Sequence, residues 1–264
     1  MNKHPRALLG FSLATLLLGT SVLVATDAAV AGAKFTPPRS GAPGNREAGA
    51  ARSDTCASTT NNNGLTALLP SSNLGLTTKA FPTFFAYIPP NNAQRAEFRL
   101  IEEDSSKEVF TGQVPMPKAD APDAAYKYKA SVVSMSLPRQ GLGEGLKAGK
   151  NYLWALMVVC NAQNRAEDIV VTGVVQRVDE NFVKSLDPAT KQKLNHVNTV
   201  SVQEKLSIYG SAGIWQDMLA DTAALVQKNP ASYSKEWKDL LNEQGLGAIA
   251  NAPTVEIKLE PAQP

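Results

Sequence analysis

The sequence contains few of the side chains that enzymes use as bases, nucleophiles and metal ligands. Its 264 residues include two cysteines and two histidines, His4 and His196. His4 lies in an N-terminal segment that we expect to be removed, and His196 is predicted to be an exposed linker residue between two helical stretches. No Gly-x-Ser-x-Gly motif is present to place a nucleophilic serine in reach of a histidine. We therefore expect no catalytic residue, no metal ligand and no cofactor.

The sequence also lacks a large excess of charge of either sign. Its formal net charge is +2, and removal of Lys3, Arg6 and Asp27 with the N-terminal segment brings it closer to zero. Nucleic acids and anionic membranes are bound through basic stripes, so we expect neither as a partner. No later stretch is long and apolar enough to span a bilayer, so we expect no stable membrane span after that removal.

Residues 1–31 show the order of features that defines a cleavable secretory signal. Lys3 and Arg6 precede an uncharged apolar run over residues 7–25, and small residues follow up to Ala31. This order predicts cleavage after Ala31 and a periplasmic or secreted mature protein. The alternative is an uncleaved anchor, because an apolar run of roughly 18 residues approaches spanning length. Glycine, serine and threonine within the run favour cleavage.

Two cysteines in an exported chain allow one intramolecular disulfide, between Cys56 and Cys160. Such a bridge would close a loop of about 104 residues, for which loop-closure entropy gives roughly 4–5 kcal/mol of stabilisation. Cys160 ends an apolar run that is typical of a buried strand, so the bridge would attach the segment around Cys56 to the core. The alternative, a reactive thiol, lacks a Cys-x-x-Cys spacing and basic neighbours.

Residues 65–178 have the pattern of a β domain. Short apolar or alternating runs are separated by turn residues, with no helical periodicity between them. Phe98 and Leu100, for example, alternate with the charged Glu97 and Arg99. The pattern predicts an antiparallel, immunoglobulin-like β-sandwich of about seven strands. The predicted strands are residues 65–69, 83–88, 96–101, 109–114, 130–137, 151–160 and 168–178.

The segments on either side of the predicted β and helical regions lack a clear core pattern. Residues 32–64 are rich in proline, glycine, serine and asparagine, which predicts a flexible leader. Residues 251–264 are predicted to be a disordered tail. Within this tail, residues 255–259 alternate between apolar and charged side chains and offer one additional edge strand.

Residues 179–250 change to a helical period. Asp187, followed by proline, is a helix N-cap, and Ser201 begins a capping box. Apolar residues spaced by three and four predict helices over residues 214–228 and 232–242. The predicted fold class is therefore α+β, a β-sandwich followed by a C-terminal helical hairpin or three-helix segment.

Three motifs together resemble a known family. They are Gly41-Ala42-Pro43-Gly44-Asn45-Arg46 with Cys56, Gly149-Lys150-Asn151-Tyr152-Leu153-Trp154 leading to Cys160, and Ile208-Tyr209 with Ala212-Gly213-Ile214-Trp215-Gln216-Asp217. With these motifs the chain resembles a cyanobacterial family of exported proteins classed as a domain of unknown function. The resemblance covers about residues 41–245. It implies export and a shared fold, but no activity.

The helical region also resembles a single tetratricopeptide unit. Tyr209, Gly213, Trp215 and Pro230 fall where such repeats place tyrosine, a small residue, a bulky apolar residue and a closing proline. One unit cannot bury both of its faces. The helices therefore either pack on the sandwich, which we favour, or dock to another protein through a candidate partner surface of Tyr209, Trp215 and Trp237.

Two local motifs are weak matches to ligand sites. Glu102-Glu103-Asp104 is a carboxylate run, but it lacks the alternating oxygen spacing of a calcium loop, and a charged hairpin tip explains it more simply. The glycine-rich residues 141–145 lead into a strand, whereas a phosphate loop opens a helix.

The missing catalytic residues and the repeat-like helices favour an exported, non-catalytic binding or assembly module. Its expected partner is another exported or envelope protein. Two alternatives stay open. A hydrolase or carbohydrate-active enzyme would place two carboxylates in a deep cleft. A small-ligand binding protein would have an apolar cavity inside the sandwich.

Overall fold

The fold is defined by a computed structural model that describes residues 33–38, 40–48, 56–58, 63–121, 124–139 and 142–261. The predicted signal segment lies outside these residues. Within them, ten strands form a four-stranded and a six-stranded sheet, and five α-helices accompany the sheets. The predicted α+β class is confirmed at this level.

Ten strands build the two sheets. The four-stranded sheet has the order β1-β3-β6-β9, and the six-stranded sheet has the order β10-β5-β4-β7-β8-β2. Each predicted strand overlaps an observed one, whereas β2 was not predicted. The strands are β1 (Thr66–Ala67), β2 (Leu74–Thr77), β3 (Thr83–Ile88), β4 (Arg95–Glu102), β5 (Lys107–Gln113), β6 (Ser131–Ser136), β7 (Asn151–Val159), β8 (Ile169–Arg177), β9 (Thr254–Lys258) and β10 (Glu260–Pro261).

Strand β4 shows how alternation in the sequence builds the larger sheet. Phe98 and Leu100 are fully buried, while Arg99 between them is exposed. β4 pairs antiparallel with β5 on one side and with β7 on the other. The connection to β5 is a tight turn in which Ser106 takes a positive φ of 53°. The predicted hairpin is therefore confirmed.

The prediction of a purely antiparallel sandwich is wrong in two places. β2 pairs parallel with β8, and β9 pairs parallel with β6. All four residues of β2 are buried, so no alternation marks this strand in the sequence. Parallel strands are connected by a long crossover instead of a tight turn, so no turn residues in the sequence indicate the pairing.

Five α-helices take the place of the predicted hairpin or three-helix segment. The side chain of Asp187 accepts hydrogen bonds from the backbone of the next helix, and Ser201 does the same, as their N-cap roles predict. Gly213 ends a helix with a φ of 72°. The helices are α1 (Glu180–Ser185), α2 (Pro188–Asn195), α3 (Val202–Ala212), α4 (Trp215–Lys228) and α5 (Pro230–Glu243).

The four-stranded sheet is buried on both faces. On β3, the Phe84 ring lies 4.9 Å from the ring of Phe98 and 5.4 Å from that of Trp154, both in the six-stranded sheet. The next residue, Phe85, points to the opposite face, where its ring centre is 6.4 Å from that of Trp237 in α5. Helices α4 and α5 therefore form a third layer over the smaller sheet.

The described parts of the predicted flexible leader are packed against the fold. Phe35 is 3% exposed, and its ring lies edge-on to Trp215 at 4.9 Å. The backbone N–H of Thr36 donates to the carbonyl oxygen of Gly210 at 2.9 Å. A Cβ at Gly210 would come within 2.5 Å of the Lys34 carbonyl oxygen, so this close approach requires glycine.

Arg46, in the second described part of the leader, joins distant parts of the chain. Its Nη1 donates to the carbonyl oxygen of Leu69 at 3.1 Å and to that of Gln244 at 2.8 Å. In the chain, Leu69 comes shortly after β1 and Gln244 directly after α5. The Gly41–Arg46 motif therefore has a structural role, and the prediction of a flexible leader is wrong for the residues around Arg46.

Part of the predicted disordered tail is a strand. Of the two expectations for this segment, the alternating edge strand is the one observed, as β9. The side chain of Ile257 is 5% exposed, while the neighbouring Glu256 and Lys258 are exposed. Burial of Ile257 and of the following Leu259 in the main core holds this segment on the sheet.

The predicted disulfide between Cys56 and Cys160 is present, with the two Cα atoms 5.3 Å apart. The carbonyl oxygen of Cys56 also accepts a hydrogen bond of 2.8 Å from the backbone N–H of Asn92, in the loop between β3 and β4. The bridge therefore fixes the segment around Cys56 at the end of β7.

Replacement of both cysteines by alanine is expected to lower the free energy of unfolding by about 3–5 kcal/mol, because it removes a cross-link that spans 104 residues. Denaturant unfolding of the purified protein measures this change. Wild-type protein kept under a reducing agent is the matched control and should show a similar loss. Two titratable thiols in the unreduced wild-type protein would contradict the bridge.

Candidate binding site

The three residues of the predicted partner surface are buried inside the chain. Tyr209 is 3% exposed, Trp215 is 0% exposed and Trp237 is 4% exposed. The Nε1 of Trp215 donates to the carbonyl oxygen of Leu68 at 2.8 Å, and Trp237 packs against Phe85 of β3. These side chains attach the helical layer to the sheets. They do not form an exposed surface in this structure, so that prediction is corrected.

A buried carboxylate, Asp217, fastens α4 to the end of β2. It is 1% exposed and accepts hydrogen bonds from Thr77 Oγ1 at 2.6 Å, from the backbone N–H of Thr78 at 2.9 Å and from the Thr78 hydroxyl. A buried charge is tolerated only when donors surround it in this way. The sequence placed Asp217 in a family motif but gave no sign of its partners, since β2 was not predicted.

Tyr209 of α3 lies against the same cluster. The pKa of the Tyr209 hydroxyl is raised to about 12, mainly by burial and also by the negative charges of Asp217 and Asp221, while a hydrogen bond with Thr78 lowers it. Asp221 also pairs with Lys79 at 3.6 Å on the more exposed side. The arrangement is a polar contact between the helices and the end of β2.

Replacement of Asp217 by asparagine is expected to destabilise the protein by about 2–3 kcal/mol, because the buried donors of Thr77 and Thr78 lose a charged acceptor. The matched control is Asp221→Asn, one turn further along α4, which breaks a partly exposed ion pair and should cost less than about 1 kcal/mol. Denaturant unfolding measures both. Equal losses in the two variants would mean that Asp217 does not fasten the layers.

Tyr209→Phe is expected to change how stability depends on pH. An unfolded tyrosine ionises near pH 10, whereas the folded Tyr209 stays neutral up to about pH 12. The raised pKa therefore lowers wild-type stability as pH rises through that interval, by roughly 2 kcal/mol. The variant lacks this component. The difference in free energy of unfolding between wild type and variant should therefore shrink between pH 9 and pH 12 in denaturant unfolding. A constant difference would contradict it.

The other motifs noted in the sequence also have structural partners. Asp104 pairs with Lys150 at 2.6 Å, and Glu103 accepts from the side-chain amide of Asn151 at 3.0 Å, so the hairpin tip is tied to β7. His196 is exposed, as predicted. Among the described residues, no group of three or more histidine, cysteine or acidic side chains is arranged to hold a metal ion.

The glycine-rich stretch does not form a phosphate loop in the part that the structure describes. Gly145 has a φ of 73°, and a Cβ there would lie 2.4 Å from the carbonyl oxygen of Ala80. The stretch therefore packs against the loop before β3, and its glycine is needed for this close backbone contact.

An open groove of about 660 Å³ runs beside β9. We call it the seam. Its walls are β9 on one side and the chain that leaves β5 on the other. The residues that line it are Pro115, Met116, Pro117, Val255, Glu256, Ile257, Lys258 and Glu260. The lining is therefore partly apolar, and its three charged side chains, Glu256, Lys258 and Glu260, are exposed.

The seam opens where the pairing of β10 with β5, inside the six-stranded sheet, stops. β10 pairs with the end of β5, with Glu260 opposite Gln113. Beyond this pair the chain from β5 continues through Pro115 and Pro117, which have no N–H to donate to a neighbouring strand. The carbonyl oxygen of Pro117 accepts instead from the backbone N–H of Lys129 at 3.0 Å. The two prolines therefore keep this chain from closing on β9.

In the part of the chain that the structure describes, the backbone groups of β9 that face the seam have no strand partner. β9 is the last strand of its sheet and pairs only with β6 in the described chain. On the β6 side, the N–H of Leu259 donates to the carbonyl oxygen of Ser136 at 3.2 Å. Because alternate residues of a strand bond to opposite neighbours, the odd-numbered residues serve β6. The residues that direct their N–H and C=O groups away from β6 are Thr254, Glu256 and Lys258.

The acidic side chains of the seam are open to solvent. Two acids, Glu256 and Glu260, lie along it, but both are exposed. A glycosidase encloses its acid pair around the bond that it cleaves.

A second pocket, lined by Glu47, Asn63 and Thr66 among others, has a volume of only about 140 Å³, below the usual size of small-ligand sites. The sequence offered the signals for the seam, an alternating tail and two nearby prolines, without showing that they meet.

Comparison with known proteins places the chain in a family. Among the described residues, no helix has the length and apolar character needed to cross a membrane. No curated protein and no solved structure matches the sequence. One family profile, described as Domain of Unknown Function (DUF928), matches residues 47–254. This range includes all five helices and every strand before β9. Because the match covers most of the chain, the protein belongs to the DUF928 family of unknown function.

Proposed function

We propose that this protein is an exported, non-catalytic binding or assembly module that docks an extended segment of an exported or envelope protein along β9. The observation that carries the proposal is the unpaired edge of β9 beside the open seam. An extended segment placed there would bond to the backbone of Glu256 and Lys258 and contact the apolar side chain of Met116 on the opposite wall. This is the mode of strand addition, in which the main chain supplies affinity and side-chain pockets supply specificity.

Location outside the cytoplasm is part of the proposal. The Cys56–Cys160 bridge supports it, because structural disulfides persist in oxidising compartments. The signal features of residues 1–31 point to the periplasm or the medium, and the family resemblance adds a cyanobacterial source. The immunoglobulin-like topology expected from the sequence is not part of the proposal, since two of the strand pairings are parallel.

The seam also limits what kind of partner fits. A docked strand lies about 4.8 Å from its neighbour, so the partner must present a segment that is extended and free of its own pairing. Alternate side chains of that segment would face the apolar lining of the seam and the solvent. A folded helix or a compact ligand would leave the N–H and C=O groups of Glu256 and Lys258 unused.

Glu256→Pro is expected to weaken docking about tenfold, because it removes an N–H that faces the seam and leaves the β6 side of the strand paired. The matched control is Glu256→Thr, which removes the same charge but keeps the N–H. A photo-crosslinking side chain at Met116, in protein returned to its native exported compartment, measures docking as the yield of crosslinked partner.

A photo-crosslinking side chain at Ser105, on the distant hairpin tip, gives the background yield. The proposal requires that Met116 exceed this background, that Glu256→Pro remove the excess and that Glu256→Thr retain it. A Met116 yield equal to the background, or an equal loss in both Glu256 variants, would overturn strand addition at the seam.

A further inference from the structure

The exposed face of β9 carries one negative and one positive side chain. Glu256 and Lys258 lie on either side of Ile257, one acidic and one basic, and both are exposed. Neither side chain forms an ion pair within the described chain. The same two residues direct their backbone groups into the seam, so charge and hydrogen-bonding capacity coincide at two positions.

An antiparallel copy of this strand would be complementary to it. If a two-fold axis passes through Ile257, each Glu256 lies opposite Lys258 of the second copy, and each Ile257 lies opposite its equivalent. Residues whose backbone groups face the neighbour form the hydrogen-bonded pairs of an antiparallel ladder. The two Glu256–Lys258 pairs therefore match in both hydrogen bonding and charge, and opposite charges directly across a ladder are favourable.

We propose that the segment docked at β9 is β9 of a second copy, so that the two four-stranded sheets join into one sheet across a two-fold axis. This inference rests on the proposed function, since it requires an open β9 edge, and it adds the identity of the occupant. The contact is isologous and closes on itself, so it yields a dimer and not a filament.

The contact is small. With the axis at Ile257, only Glu256, Ile257 and Lys258 of each β9 lie opposite one another, and four residues outside β9 line the seam. Interfaces of this size are far below the area of stable obligate dimers. The expected dissociation constant is therefore about micromolar or weaker, and the dimer should depend on protein concentration and on salt.

The test uses charge exchange in the purified, disulfide-intact protein. Lys258→Glu places glutamate opposite glutamate, and Glu256→Lys places lysine opposite lysine, so each variant alone should self-associate at least tenfold more weakly than wild type. An equimolar mixture of the two restores opposite charges at both pairs and should form a heterodimer. Sedimentation velocity over a concentration series measures all of these species. Lys238→Glu, an exposed position on α5 with the same change of charge, is the matched control.

Wild-type protein that stays monomeric at the highest concentration would overturn the proposal. So would a dimer that Lys258→Glu leaves unchanged, or two single variants that fail to associate when mixed. Each variant is first checked by its thermal unfolding curve, and these exposed substitutions should leave that curve near wild type. A monomeric protein whose Met116 crosslinks to a different protein would reject the second copy while supporting the strand-addition site itself.

Discussion

The structure depends on the burial of the four-stranded sheet from both sides. Phe84 packs on the six-stranded sheet, and Phe85 packs on α5 through Trp237. β3 is therefore covered on both faces, whereas β9, at one edge of the sheet, keeps the side chains of Glu256 and Lys258 exposed. At the β1 edge, the leader forms a bridge from Glu47 to Thr66. The β9 edge borders the seam.

The helical layer, which resembles part of a repeat protein, is held by interactions that a free repeat unit would lack. Asp217 accepts three hydrogen bonds from residues at the end of β2. The indole N–H of Trp215 donates to the carbonyl oxygen of Leu68, which precedes β2 in the chain. The leader then covers α3 at Gly210. An isolated helix pair would need further repeats to bury its apolar faces, but here a sheet and a leader supply that surface.

How much the sequence could predict depended on whether a pattern was local. The alternation around Phe98 and the N-cap at Asp187 are set by neighbouring residues, and both were predicted correctly. β2 was missed because it is buried at every position and pairs with a strand about 100 residues away along the sequence. Trp215 was assigned to a partner surface because periodicity shows that a face is apolar but does not show what covers it. The seam required two segments, at Pro115 and at β9, that only the tertiary structure brings together.

The order of the chain adds a further constraint on the binding edge. β9 pairs with β6, and β7, β8 and all five helices lie between these two strands in sequence. Such a non-local parallel pair forms only after the intervening chain has been brought back to the sheet, because the loop-closure entropy must be overcome first. The edge at β9 is therefore complete only when the helical layer is in place and Ile257 is buried. Binding at this edge, unlike binding to an early hairpin such as β4–β5, would be confined to fully folded protein.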